Sequence, residues 1–113
     1  MFWSRWMSAP IARDARRLLQ HSHHGVLSTL SLDLPGYPFG SIVTYSLDAL
    51  GQPVLLLSEI AQHTANLRAD ARVSLTIAES SDDPQAAARL TVLADAELVT
   101  DAVTSGLAGR YLR

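Results

Sequence analysis

Residues 37–72 read YPFGSIVTYSLDALGQPVLLLSEIAQHTANLRADAR, and this stretch decides the fold. Residues 39–47 alternate as a half-buried strand does, with Phe39, Ser41, Val43, Tyr45 and Leu47 on one face and Gly40, Ile42, Thr44 and Ser46 on the other. Asp48-Ala49-Leu50-Gly51 follows, a polar turn opener with a terminal glycine that tolerates positive φ, so the apolar run 54–57 can fold back and pair. Ser58 closes that second strand beside residues 60–69, which carry helical spacing with Ile60, Ala61, Ala65 and Leu67 expected to face inward. A helix starting there turns unbonded N–H groups and the positive end of its dipole toward Ser58 and Ala61, a geometry suited to an anion, and Gln62 and His63 in the first turn add side-chain donors. Read from pattern alone, the plainer reading is preferred, with Ser58 an N-cap and His63 an ordinary surface residue.

Working outward, residues 26–32 are strand-like and are expected to pair with 39–47 across a link that ends in Pro35-Gly36. Before them, Ser8-Ala9-Pro10 starts a helix with a capping hydroxyl and a first-turn proline, and Ile11, Ala15, Leu18 and Leu19 form its buried stripe. Its end carries His21, His23 and His24, where imidazoles meet exposed carbonyls, and Gly25 is expected as a left-handed cap. A metal would need ligands converging from elsewhere, since no acidic residue is adjacent. After the central helix, residues 72–78 alternate with Val73, Leu75 and Ile77 inward, 79–84 form a solvated loop, and 89–100 resume alternation through Leu90, Val92, Ala94, Ala96 and Leu98. That makes five strands, followed by a last helix capped by Asp101.

The bounds are those of one small domain. The chain has 113 residues, 48% of them hydrophobic, enough for one core but short enough that an oligomer helps to bury it. A formal charge of −2 with scattered basic residues gives no footprint for nucleic acid. The absence of cysteine excludes disulfides, thiolate metal sites and a cysteine nucleophile, and fits a cytoplasmic setting. Residues 1–7, with Trp3 and Trp6, are too short and polar to span a membrane and have no signal-peptide core, so they are expected to be a disordered extension. No carboxylate pair, Ser-His-Asp order or metal-ligand spacing nominates a catalytic residue.

The residues Tyr37-Pro38-Phe39-Gly40-Ser41, Tyr45, Asp48, Ser58 and the run His63-Thr64-x-Asn66-Leu67-Arg68-Ala69-Asp70, in that order, resemble the FMN-binding split-barrel proteins. The resemblance is greatest to the haem-utilisation branch of the pyridoxamine 5'-phosphate oxidase-like superfamily and covers residues 12–112. It implies a mainly β protein with flanking helices, an α+β split β-barrel of the FMN-binding type over residues 8–113. That barrel is expected to be incomplete at the C-terminus, because such proteins continue with further strands and often a C-terminal domain.

By the same resemblance FMN lies along Gly40, Ser41, Ile42, Val43 and Tyr45, with Ser58, Gln62 and His63 on its phosphate and Arg89 on the phosphate or a ring carbonyl. Tyr45 is either a cofactor wall or a packing residue, and Arg89 either a ligand or a strand-edge charge that discourages aggregation. The oxidases proper use lysine and arginines for the phosphate, so a site built on Gln62 and His63 carries less fixed positive charge. The implied function is that of an FMN-binding, oxidoreductase-like homodimer with the cofactor between subunits, linked to haem or a small-molecule substrate. The alternatives are a non-catalytic haem or flavin carrier and a structural remnant that binds no cofactor.

Overall fold

A computed structural model describes residues 2, 3, 13–58, 60–83, 85 and 87–99. In chain order the elements are β1 (Phe2–Trp3), α1 (Arg13–His21), β2 (His24–Leu30), β3 (Pro38–Thr44), β4 (Ser46–Leu47), β5 (Pro53–Leu56), α2 (Gln62–Ala69), β6 (Arg72–Ala78), β7 (Arg89–Asp95) and β8 (Leu98–Val99). They build two four-stranded sheets, β4-β5-β1-β8 and β3-β2-β6-β7, so the fold is mainly β with two helices. Among the described residues the two sheets stay separate rather than closing into one barrel.

The expected strand 39–47 is two strands. It breaks at Tyr45, whose N–H donates to the His23 carbonyl at 3.0 Å. On one side β3 pairs antiparallel with β2, with Val43 opposite Gly25 and Phe39 opposite Thr29. On the other, β4 crosses to the first sheet, with Ser46 opposite Val54 and Leu47 opposite Pro53. The inward alternation holds from Phe39 to Tyr45, while Ser46 and Leu47 beyond the corner are both half-buried. Asp48 builds the turn to β5: its carboxylate accepts the N–H groups of Leu50 and Gln52, and Gly51 has φ of 78°.

Leu27, Val43, Leu55, Leu67, Leu75 and Ile77 form the centre of the core, and Leu19 of α1 joins them. Residues 96–97 interrupt the last expected strand, so β8 pairs with β1 instead of prolonging β7, and Leu98 is partly exposed rather than inward. Phe2 and Trp3, within the stretch expected to be disordered, pair in register with Leu56 and Leu55. Gly25 is not a left-handed cap. It lies buried inside β2, where an added Cβ would stand 2.7 Å from the Thr76 carbonyl oxygen. The expected Ser8 cap and the last helix from Asp101 lie outside the described residues.

Candidate functional site

The helix α2 is held by polar rather than apolar side chains. Asn66 is fully buried, and its amide oxygen accepts the Leu32 N–H and the Gln62 side-chain amide, each at 2.9 Å. Its amide nitrogen donates to the Thr29 hydroxyl at 3.0 Å, which donates in turn to the Phe39 carbonyl. One side chain thus ties α2 to β2, to β3 and to the link between them. Thr64, also fully buried, donates its hydroxyl to the Ser58 carbonyl and fixes the approach to the helix. Inward burial falls on Thr64, Asn66 and Leu67. Ile60, expected inward, is 96% exposed, because the helix begins at Gln62 and leaves Ile60 in the preceding turn.

Ser58 is not the N-cap. Ala61 takes that position without a side-chain cap bond, while the exposed Ser58 hydroxyl accepts the Ile60 N–H at 3.4 Å. Ser58, Gln62 and His63 thus flank the start of α2, whose N-cap has no side-chain bond. Their electrostatics are neutral, however. Burial pushes the His63 pKa below its ordinary value, so the imidazole is held uncharged, and the Gln62 amide is engaged by Asn66. The chain has no lysine to add fixed charge. At the far end of α2, Arg72 grips the Asp70 carboxylate, with Nη2 to Oδ2 at 2.6 Å, and holds that group down at about 2.

The other expected site residues scatter over β3 and beyond. Gly40 and Ile42 face outward, Ser41 is half-buried on the inner face and Val43 is in the core. Tyr45 packs in the core with its hydroxyl donating to the Leu19 carbonyl at 2.7 Å; burial pushes its pKa up to about 12 and keeps the donor protonated. Of its two readings, the side chain takes the packing one. Arg89 starts β7 opposite Ala78, three strands from β3 and so ~14 Å away across the sheet.

The network of Thr29, Thr64 and Asn66 has no signature in apolar periodicity. The spacing signal was there only in part: Thr64 and Leu67 share a helical face at i, i+3, but a search for apolar periodicity passes over threonine and asparagine.

On the outer face of the second sheet, small and β-branched residues lie side by side. Ile42, Val26, Thr76 and Thr91 form one cross-strand row, and Gly40, Ser28, Ser74 and Leu93 the next. A shallow cavity of about 270 Å³ opens over the second row, bordered by Pro38, Leu30 and Arg72.

The family model for the CREG β-barrel matches residues 8–101. The non-canonical chloroplastic haem oxygenase of Arabidopsis thaliana is 38% identical over 99 residues, which are 88% of this chain and 30% of that protein. A haem-binding protein from Mycobacterium smegmatis aligns with a TM-score of 0.74 and 34% identity over 90% of this chain and 43% of its own. A protein of unknown function from Agrobacterium tumefaciens aligns at 0.75 with 27% identity, over 93% of this chain and 47% of its own. The chain thus spans less than half the length of each of these relatives. With the split arrangement of its two sheets and a family match that runs from residue 8 to 101, the chain belongs to the CREG β-barrel family.

Proposed function

We propose that this chain binds haem. The observation that carries the reading is its likeness, at 38% and 34% identity, to one protein named as a haem oxygenase and another named as haem-binding. The neutral cradle at α2 weighs the same way. A flavin phosphate is a dianion, and Ser58, Gln62 and the uncharged His63 offer it hydrogen bonds without a fixed positive charge. Haem needs less of such a cradle, because its affinity comes from an iron ligand and apolar contact. Bound haem supplies iron-centred redox chemistry, and the chain supplies a ligand, orientation and partial exclusion of water.

FMN is the second reading, favoured by the uncapped start of α2 beside the exposed Ser58 hydroxyl. In that reading the chain is an FMN-dependent oxidoreductase, and Gly40 and Ser28 give a flat ring room above the outer face of the sheet. Both readings take the chain as a homodimer, since Ile42, Leu93 and Val26 leave an apolar strip on that face.

Thermal melts of the purified chain with excess haem or excess FMN test the choice. A ligand at a hundred times its Kd stabilises the fold by about 2.7 kcal/mol, which a melt resolves. The haem reading expects a rise with haem. A rise with FMN and none with haem would overturn it in favour of the second, and no rise with either would overturn both.

A further inference from the structure

We propose that the gap between β5 and β8 is a strand-accepting site, held in this structure by the chain's own β1 as a displaceable strap, and that it takes an extended apolar segment of a protein partner. The sheet order β4-β5-β1-β8 makes β1 the strand that joins β8 to the rest of its sheet. It runs antiparallel to both neighbours, with Phe2 opposite Leu56 and Val99 and Trp3 opposite Leu55 and Leu98. The site lies in the first sheet, so the proposal stands apart from the haem and FMN readings, which concern α2 and the outer face of the second sheet.

The acceptor is built independently of β1. On its opposite edge β5 is held by β4, with Val54 opposite Ser46 and Pro53 opposite Leu47, and Leu55 and Leu57 belong to the core. The strap, by contrast, fills the gap in part. Among the described residues it is two residues long, whereas β5 has four, and the register uses Leu55 and Leu56. A pairing this short opens locally at small cost. Both walls also keep apolar surface in solvent while β1 is seated, since Leu56 is 37% exposed and Leu98 39%. A segment that pairs along the whole of β5 makes more ladder bonds and covers more of that surface. Those gains are what displace a strap tethered through residues 4–12, whose effective concentration is on the order of millimolar.

The register sets the partner's chemistry. A residue seated opposite Leu55 stands in the row of a side chain that is 1% exposed, so it has to be apolar. Its neighbour, opposite the partly exposed Leu56, is free to be polar. Ladder bonds give affinity without regard to sequence, and this alternation gives the specificity. The partner is therefore an extended segment with apolar residues at every second position.

A fluorescein-labelled peptide of residues 1–6, MFWSRW, is the probe, and its binding is read by anisotropy. The proteins are the unaltered chain, Trp3→Pro, and the double variant Phe2→Cys with Leu56→Cys, reduced and oxidised. Proline has no N–H and is excluded from inner strands, so Trp3→Pro empties the gap. Opposed residues of an antiparallel pair lie within disulfide reach, and the chain has no other cysteine, so oxidation locks the strap in place. Trp3→Pro is expected to bind the peptide at least about tenfold more tightly than the unaltered chain, which competes with its own strap. The reduced double variant binds like the unaltered chain, the oxidised form loses binding, and a peptide carrying Trp3→Pro binds none of the four. Equal binding by the oxidised and reduced forms would overturn the proposal, whether or not Trp3→Pro folds. So would a Trp3→Pro chain with native circular dichroism that does not take up the peptide.

Discussion

At the residue scale, Asn66 carries more of the fold than any other polar side chain described. Replacing it with leucine keeps the volume but strands the Leu32 N–H and the Thr29 hydroxyl without their partner. We expect Asn66→Leu to lower the stability measured by urea unfolding by about 3 kcal/mol, the cost of leaving buried polar groups unsatisfied. Tyr45→Phe removes the hydroxyl's bonds to the Leu19 carbonyl and to Ser22 and should cost about 1–2 kcal/mol in the same measurement. His63 sets a pH dependence. Its folded pKa is lowered from 6.5, so between that lowered value and 6.5 the unfolded chain binds a proton that the folded chain refuses. Stability therefore rises with pH through this window and is complete above it. Urea midpoints measured on both sides of 6.5 should show that slope, and His63→Gln should flatten it. The residues of the His63–Asp70 run were legible as a group, but the roles of Thr64 and Asn66 were not. A polar side chain inside a short helix announces itself only once its partners on β2 and β3 are in place.

At the element scale, alternation revealed the faces of residues 39–45 but not the corner at Tyr45, because a period of two does not mark a change of sheet. The turn at Asp48 and Gly51 was legible, since its carboxylate and its positive φ are local chemistry. Gly25 was misread because a glycine after a helical stretch ordinarily marks a cap, whereas here the need is steric: β6 passes too close for a side chain. Gly25→Ala should cost about 1–3 kcal/mol by forcing β2 away from the Thr76 carbonyl. On the outer face of the same sheet, Ile42 is 73% exposed and Leu93 60%. If that face covers a second copy, Ile42→Lys should shift sedimentation from dimer to monomer while leaving the far-ultraviolet circular dichroism unchanged. An unshifted dimer would place the interface elsewhere.

At the scale of the whole molecule, two separate sheets share one core, to which α1 contributes Leu19 and α2 contributes Leu67. The mainly β architecture was legible from residues 37–72 outward, because alternation, turn chemistry and the order of the family's residues agreed there, but β1 was read as disordered and the runs 39–47 and 89–100 each as one strand. The site was less legible. The resemblance groups Arg89 with the β3 residues, but the sheet order puts β2 and β6 between them. Sequence order separates His21 from Glu79 by more than half the chain, yet the fold brings both to one cavity. No helix among the described residues is long and apolar enough to cross a membrane. The most direct measurement of the central claim is a visible absorbance titration of the purified chain with haem, with FMN as the competing ligand. The haem reading predicts a saturating Soret band at one haem per chain that FMN does not displace. A titration with no Soret change, in a chain that instead takes up FMN, would contradict it.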